Sequence, residues 1–189
     1  MSKNDDTPQL LTSNTLVFQQ TSSMLSNDFR IEDAAGNLVG QVLTTGGVGA
    51  RLFRGSRTFD LLDERGNLLL HIKDPFDMGF DRYELITPDG SLLANVRKQF
   101  SMMRKRLSIE MPGLTLELAG SILEYDFSIR TGERVAAQVS RQWGGVVAGL
   151  RGRSRYSTSF DPDAPEPVRL AMVGALIALD LMRAKDARN

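Results

Sequence analysis

Leu170–Leu179, LAMVGALIAL, is a run of ten residues without a polar side chain, and what it packs against decides the architecture. A helix that is apolar on every face must be buried all round. The run does not cross a bilayer: Val168 to Met182 would extend roughly 22 Å at 1.5 Å per residue, against a hydrocarbon core of about 30 Å. Asp180 would then also lie in lipid. The block therefore reads as a core helix over about residues 167–185, with Pro167 suited to its first turn. Such a helix needs a cavity to enter.

The rest of the chain supplies one. Four stretches share a frame: FRIEDAAGNLVGQV, FDLLDERGNLLLHI, YELITPDGSLLANV and YDFSIRTGERVAAQV. Aligned on Gly36, Gly66, Gly90 and Gly132, each has an aromatic seven residues earlier: Phe29, Phe59, Tyr83 and Tyr125. Tyr125, Phe127 and Ile129 alternate with Asp126, Ser128 and Arg130, the period of a half-buried strand, and turn residues stand between the arms. Each unit is a hairpin. The fourth carries one extra residue before Val139, which a bulge would absorb. Further strand candidates are ARLFR from Ala50, RLSIEM from Arg106, LTLELAG from Leu114 and RYSTSF from Arg155. Ten or more antiparallel strands in one small domain expose long edges unless they close into a barrel or fold over as a sandwich. A closed sheet and an all-apolar helix solve each other's burial problem, so the helix is expected to thread the barrel. Gly174 would admit a bulky wall side chain, and Arg169 and Arg183 would mark the two mouths.

At 189 residues and 41% hydrophobic content the chain fits one domain, assigned to 14–189, behind a loose polar tail over 1–13. Lysine plus arginine total 23 and aspartate plus glutamate 23, so only a local patch can drive binding to a polyanion. The absence of cysteine removes disulfides, thiolate nucleophiles and cysteine-bound metals. MSKNDDTPQLLTSN has no continuous apolar stretch of the signal-peptide kind, which favours a cytoplasmic address.

NTLVFQQ, the repeated FRIEDAAGNLVGQV and FDLLDERGNLLLHI, YDFSIRTGERVAAQVSRQW and the closing YSTSFDPDAPEPVRLAMVGALIALD together resemble the LURP-one-related family, from about Asn14 to Met182. Relatives of that family include the phospholipid scramblases and the tubby C-terminal domain. The resemblance implies a mainly β (α+β) fold, a tubby-like closed antiparallel barrel of twelve strands around a hydrophobic C-terminal helix. It links the superfamily to phosphoinositide binding, to calcium-stimulated lipid movement and, in plants, to defence.

Catalytic signals are weak. His71 falls on the outer side of the alternating LLLHIKD strand with no motif-marked partner and reads as a solvated residue. GGVGAR, from Gly46, lacks the ending of a phosphate-binding loop and reads as a turn. Asp161, Asp163 and Glu166 occupy the place where scramblases resemble calcium binders. Pro162, Pro165 and Pro167 stiffen that stretch, and it reads as a helix entrance with acids near the positive dipole end. No catalytic residue, metal ligand or cofactor is assigned.

RKQFSMMRKR carries more information. Arg97, Lys98, Arg104, Lys105 and Arg106 surround Phe100, Met102 and Met103, so a loop here would offer apolar tips for insertion and cations for anionic headgroups. The alternative is a hairpin with its apolar side chains in the core and its charges solvated. Arg141, Arg151, Arg153 and Arg155 add a second basic stretch. The expected function is a non-enzymatic intracellular domain that recognises anionic phospholipid headgroups through those five cations, cytoplasmic or at a membrane periphery. A protein-interaction or scaffold domain using the same surface is the alternative, and calcium-dependent scrambling ranks below both. Nucleic acid is disfavoured by the neutral total charge and 7% aromatic content.

Overall fold

The computed structural model describes residues 7–23, 26–45, 57–75, 82–101, 104–141 and 155–186. Twelve strands form one closed antiparallel barrel: β1 (Thr15–Ser23), β2 (Ser26–Asp33), β3 (Leu38–Thr45), β4 (Arg57–Asp63), β5 (Leu68–Asp74), β6 (Arg82–Ile86), β7 (Leu92–Ser101), β8 (Arg104–Met111), β9 (Leu114–Ser121), β10 (Asp126–Thr131), β11 (Arg134–Ser140) and β12 (Arg155–Phe160). Each strand pairs with its sequence neighbours, and β1 closes on β12 with Thr15 opposite Ser159 and Gln19 opposite Arg155. Closure leaves no free edge.

Helix α2 (Glu166–Asp186) runs through the interior, with Ala171–Met182 buried. Inward rows such as Phe59 and Leu61 on β4 and Leu70 and Ile72 on β5 meet it, which is why the helix is apolar on every side. Gly174 marks the tightest approach: a Cβ there would stand 2.7 Å from Leu70 Cδ2 and 2.8 Å from Leu85 Cδ1. The helix start follows the proline-rich stretch as expected, one residue before Pro167.

The repeat is a set of hairpins, and its bulge recurs in three further places. Across β2–β3, β4–β5, β6–β7 and β10–β11 the register slips once, leaving Val39, Leu69, Leu93 and Ala136 without a ladder partner. Val39–Gly40 and Ala136–Ala137 are in consequence consecutive buried pairs, which simple alternation does not produce. Repeated bulges add the local twist that closing a sheet demands.

The fourth unit departs from the glycine alignment. Phe29, Phe59 and Tyr83 face Val42, Ile72 and Val96 on the ladder, but the residue facing Val139 is Phe127. Thr131 pairs with Arg134 across a two-residue turn, so the ladder starts closer to its glycine than in β2–β3, where the turn spans residues 34–37. Tyr125 is displaced from the strand. It caps a 3-10 turn, Ile122–Glu124, in the left-handed conformation at φ 55°.

The polar tail expected over 1–13 is corrected over its second half. Gln9–Thr12 form a short helix, α1, whose Leu10 and Leu11 are buried in the barrel core. Leu10 sits so close to Gly40 that a Cβ on that glycine would overlap its Cδ1. Arg169 fixes the segment: Nη1 donates to the carbonyl oxygens of Leu11 (3.2 Å) and Ser13 (3.1 Å), and Nη2 to Asn14 Oδ1 (2.8 Å). Nη2 also donates to the carbonyls of Asp161 (3.0 Å) and Pro162 (3.3 Å). A leucine pair is enough apolar surface to plug one mouth when a buried guanidinium satisfies the carbonyls around it.

Candidate functional site

The meander gives the barrel two unlike ends. At one, the turn end, lie the hairpin turns of the repeat, α1 and the start of α2. Asp33 and Asp63 organise two of these turns identically: Asp63 Oδ1 accepts from the backbone N–H of Arg65 and Asn67 (2.9 and 2.7 Å) and Oδ2 from Asn67 Nδ2 (2.9 Å). The Asn67 counterpart, Asn37, donates to Asp33 in the same way and holds its carboxyl below the ordinary value. Glu32, Glu64, Asp89, Glu133, Asp161 and Asp163 add to the acidity of this end.

The opposite end, where α2 finishes, is basic. Three of its acids are matched, Asp74 to Lys185 (3.9 Å), Glu84 to Arg82 (3.3 Å) and Asp186 to Lys98 (3.0 Å), while Glu124 and Asp126 are exposed there without an ion pair among the described residues. Arg57 at the start of β4, Lys73 near the end of β5 and Arg141 after β11 are exposed, and among the described residues none of the three is in an ion pair. Among the described residues, the excess of acids at the turn end and of cations at the helix-exit end separates charge along the barrel axis.

The five residues expected to hold headgroups divide. Arg97 is exposed on β7, with Nε 3.3 Å from Glu110 Oε2. Lys98 follows the inward row of Ala94 and Val96, and its side chain is 10% exposed and bound to Asp186. The expectation of a solvent-facing Lys98 is therefore corrected: strand alternation turns it toward the helix end. Arg104, Lys105 and Arg106 begin β8 opposite Ser101, Phe100 and Gln99, and their side chains lie outside the described part of the structure. Met102, Met103, Arg151, Arg153 and the ARLFR and GGVGAR stretches also fall outside the described residues. Arg155 is half-buried with Nη2 3.8 Å from Glu32.

Just inside the basic mouth stands a polar group that sequence reasoning used only as an argument against membrane insertion. Asp180 is buried, with Oδ1 accepting from the Tyr125 hydroxyl and Oδ2 from the Tyr156 hydroxyl at 2.9 Å. The two rings stack with centroids 4.4 Å apart, Phe18 stacks on the outer side of Tyr156 at 5.0 Å, and Arg183 lies 4.0 Å over Tyr125. A lone acid inside an otherwise apolar helix was the available signal. Its partners were not visible because Tyr125, just before β10, and Tyr156, on β12, lie far from it in the sequence.

His71 lies on the outer face as expected, but it has a partner: its Nδ1 is 2.7 Å from Asp60 Oδ1. The flanking ladder positions are Leu43 and Ile86, so no hydroxyl nucleophile stands across the strand from this pair. Asp161 is held by Arg134, whose Nε and Nη2 donate to Oδ2 at 2.8 and 2.6 Å, while Oδ1 accepts from Asp163 N–H. A cation there would first displace a guanidinium. Among the described residues no group of three metal-ligating side chains forms a cluster, and no helix is long and apolar enough to cross a membrane.

A family profile described as LURP-one-related matches residues 14–180. The X-ray structure of a protein from Arabidopsis thaliana is similar at a TM-score of 0.61 and 18% identity, covering 94% of this chain and 96% of that one. At that identity the likeness shows a common fold. No curated protein matches the sequence.

Proposed function

Because the chain belongs to the LURP-one-related family and its barrel ends in a basic rim, we propose that it is a binding domain without covalent chemistry, recognising anionic phospholipid headgroups at a membrane periphery from the cytoplasmic side. The observation that carries this reading is the exposed trio Arg57, Lys73 and Arg141, outside any ion pair among the described residues, at one end of a barrel whose other end is acidic. Each cation near an anionic leaflet contributes on the order of 1 kcal/mol. The acidic turn end is repelled by the same surface, so the barrel approaches with its helix-exit end first. Arg97 and, by backbone register, the strand start Arg104–Arg106 belong to the β7–β8 hairpin that reaches the same end. Lys98 serves the fold instead, through Asp186.

Vesicle co-sedimentation tests the reading with phosphatidylcholine alone and with added phosphatidylserine. Wild-type protein is expected to pellet only with the anionic vesicles and to dissociate as salt rises. Arg57→Gln, Lys73→Gln and Arg141→Gln together are expected to weaken binding about a hundredfold, from roughly 3 kcal/mol lost, with an unchanged melting temperature. Wild-type protein that ignores anionic vesicles at low salt would leave a protein scaffold as the better reading. A triple variant that binds as wild type does would move the site to Arg104–Arg106.

A further inference from the structure

We propose that Asp180 is a proton-operated latch, which seats the last turns of α2 against β10 and β12 when protonated and loosens them when ionised. The proposal does not depend on what the basic end binds. Its geometry is a carboxyl deep in an apolar helix, gripped on one oxygen by Tyr125 at the entrance to β10 and on the other by Tyr156 of β12. Both hydroxyls donate and so suit the carboxylate; what opposes ionisation is the burial of Asp180 in the apolar interior, among Leu176, Ile177, Leu179 and Leu181 of its own helix. Tyr125 is available to donate because the fourth hairpin gives its ladder place to Phe127.

The groups facing Asp180 are Tyr125, Tyr156 and, from its own helix, Arg183. Burial pushes the carboxyl up from 3.8 to about 6, against the opposing pull of the two hydroxyls and the Arg183 charge. The Tyr156 phenol is held well above its ordinary value, by burial first and by the Asp180 charge second, so it remains a donor. The folded protein therefore binds the Asp180 proton more tightly than the unfolded chain. Stability from this group is complete below about pH 4 and is lost as pH rises through about 6. Asp33, Asp63, Asp89 and Asp161 have lowered values and act with the opposite sign in a separate window, losing their contribution as pH falls through the ordinary carboxylate range near 4 and below.

The test compares Asp180→Asn with the parent in a His71→Gln background, so that no imidazole contributes. In the parent the folding equilibrium is expected to be about tenfold more favourable at pH 5 than at pH 7.5, and in Asp180→Asn to be flat over that range. Amide exchange, corrected for its intrinsic pH dependence, should show the lost protection concentrated in the final turns of α2. If Asp180→Asn does not fold, Tyr156→Phe serves: it deletes a hydroxyl that favours the ionised form, so the fall in stability should move to higher pH. Equal slopes in Asp180→Asn and its parent would overturn the latch. So would protection lost evenly over the strands, or a fall in Tyr156→Phe at unchanged pH.

Discussion

Gly174→Arg is expected to yield no cooperatively folded protein, measured as loss of the thermal transition in circular dichroism. A Cβ alone would stand within 2.7 to 3.1 Å of methyl groups on Leu70 and Leu85. These are flexible ends, so Gly174→Ala should be tolerated at a cost of about 1–3 kcal/mol as the leucines shift. An arginine adds a long stem and a cation to the same point, in the middle of a helix whose residues from Ala171 to Met182 are buried and where the nearest side-chain atoms are leucine methyls. An unpaired buried charge costs several kcal/mol after relaxation, and overpacking adds to it. The total is comparable with the whole stability of a domain, about 5–15 kcal/mol. A Gly174→Arg protein that melts near the wild-type temperature would mean that α2 does not fill the barrel.

Arg169→Met is expected to lose about 3–5 kcal/mol, read as a lower denaturant midpoint with the slope unchanged. Methionine preserves much of the stem but removes the donors to Leu11, Ser13, Asn14, Asp161 and Pro162. It also removes a guanidinium lying 5.7 Å from the Phe160 ring centroid. Those acceptors come from the entry segment, the end of β12 and the approach to α2, so several elements lose one shared fastener. Protease cleavage between residues 7 and 14 should accelerate in the variant, since Leu10 and Leu11 lose the carbonyl anchor beside them. Unchanged cleavage and an unchanged midpoint would show that the leucine pair alone holds the plug.

The architecture was legible because its two signals extend over many residues. Alternation with recurrent turn glycines announces hairpins, and an unbroken apolar run too short for a bilayer announces a helix that needs walls. What escaped was every feature that depends on counting ladder rungs across a turn. Tyr125 and Phe127 are both aromatic and two residues apart, and only the length of the turn at Gly132 decides which one joins the ladder. Lys98 escaped for a related reason: a cation beside Arg97 looks solvated in composition, and its parity with Val96 turns it inward. Arg169 was assigned to a mouth correctly, but its carbonyl partners are backbone groups, which carry no sequence signature. The TPQLLT segment reads as polar tail because two leucines are too few to set a period.

Closure of β1 on β12 has a consequence for how the chain is made. Thr15 meets Ser159 only after nearly all of the intervening sequence has left the ribosome, and long-range pairing of this kind is slow. Helix α2 is translated later still, so the inward rows on all twelve strands lack their filling until residues 166–186 emerge. An early stop codon upstream of Glu166 would therefore release a wall without its filling. Such a product would present the aromatic rungs Phe29, Phe59, Tyr83 and Phe127 to other chains, making it a substrate for chaperones and proteases rather than a smaller version of the domain.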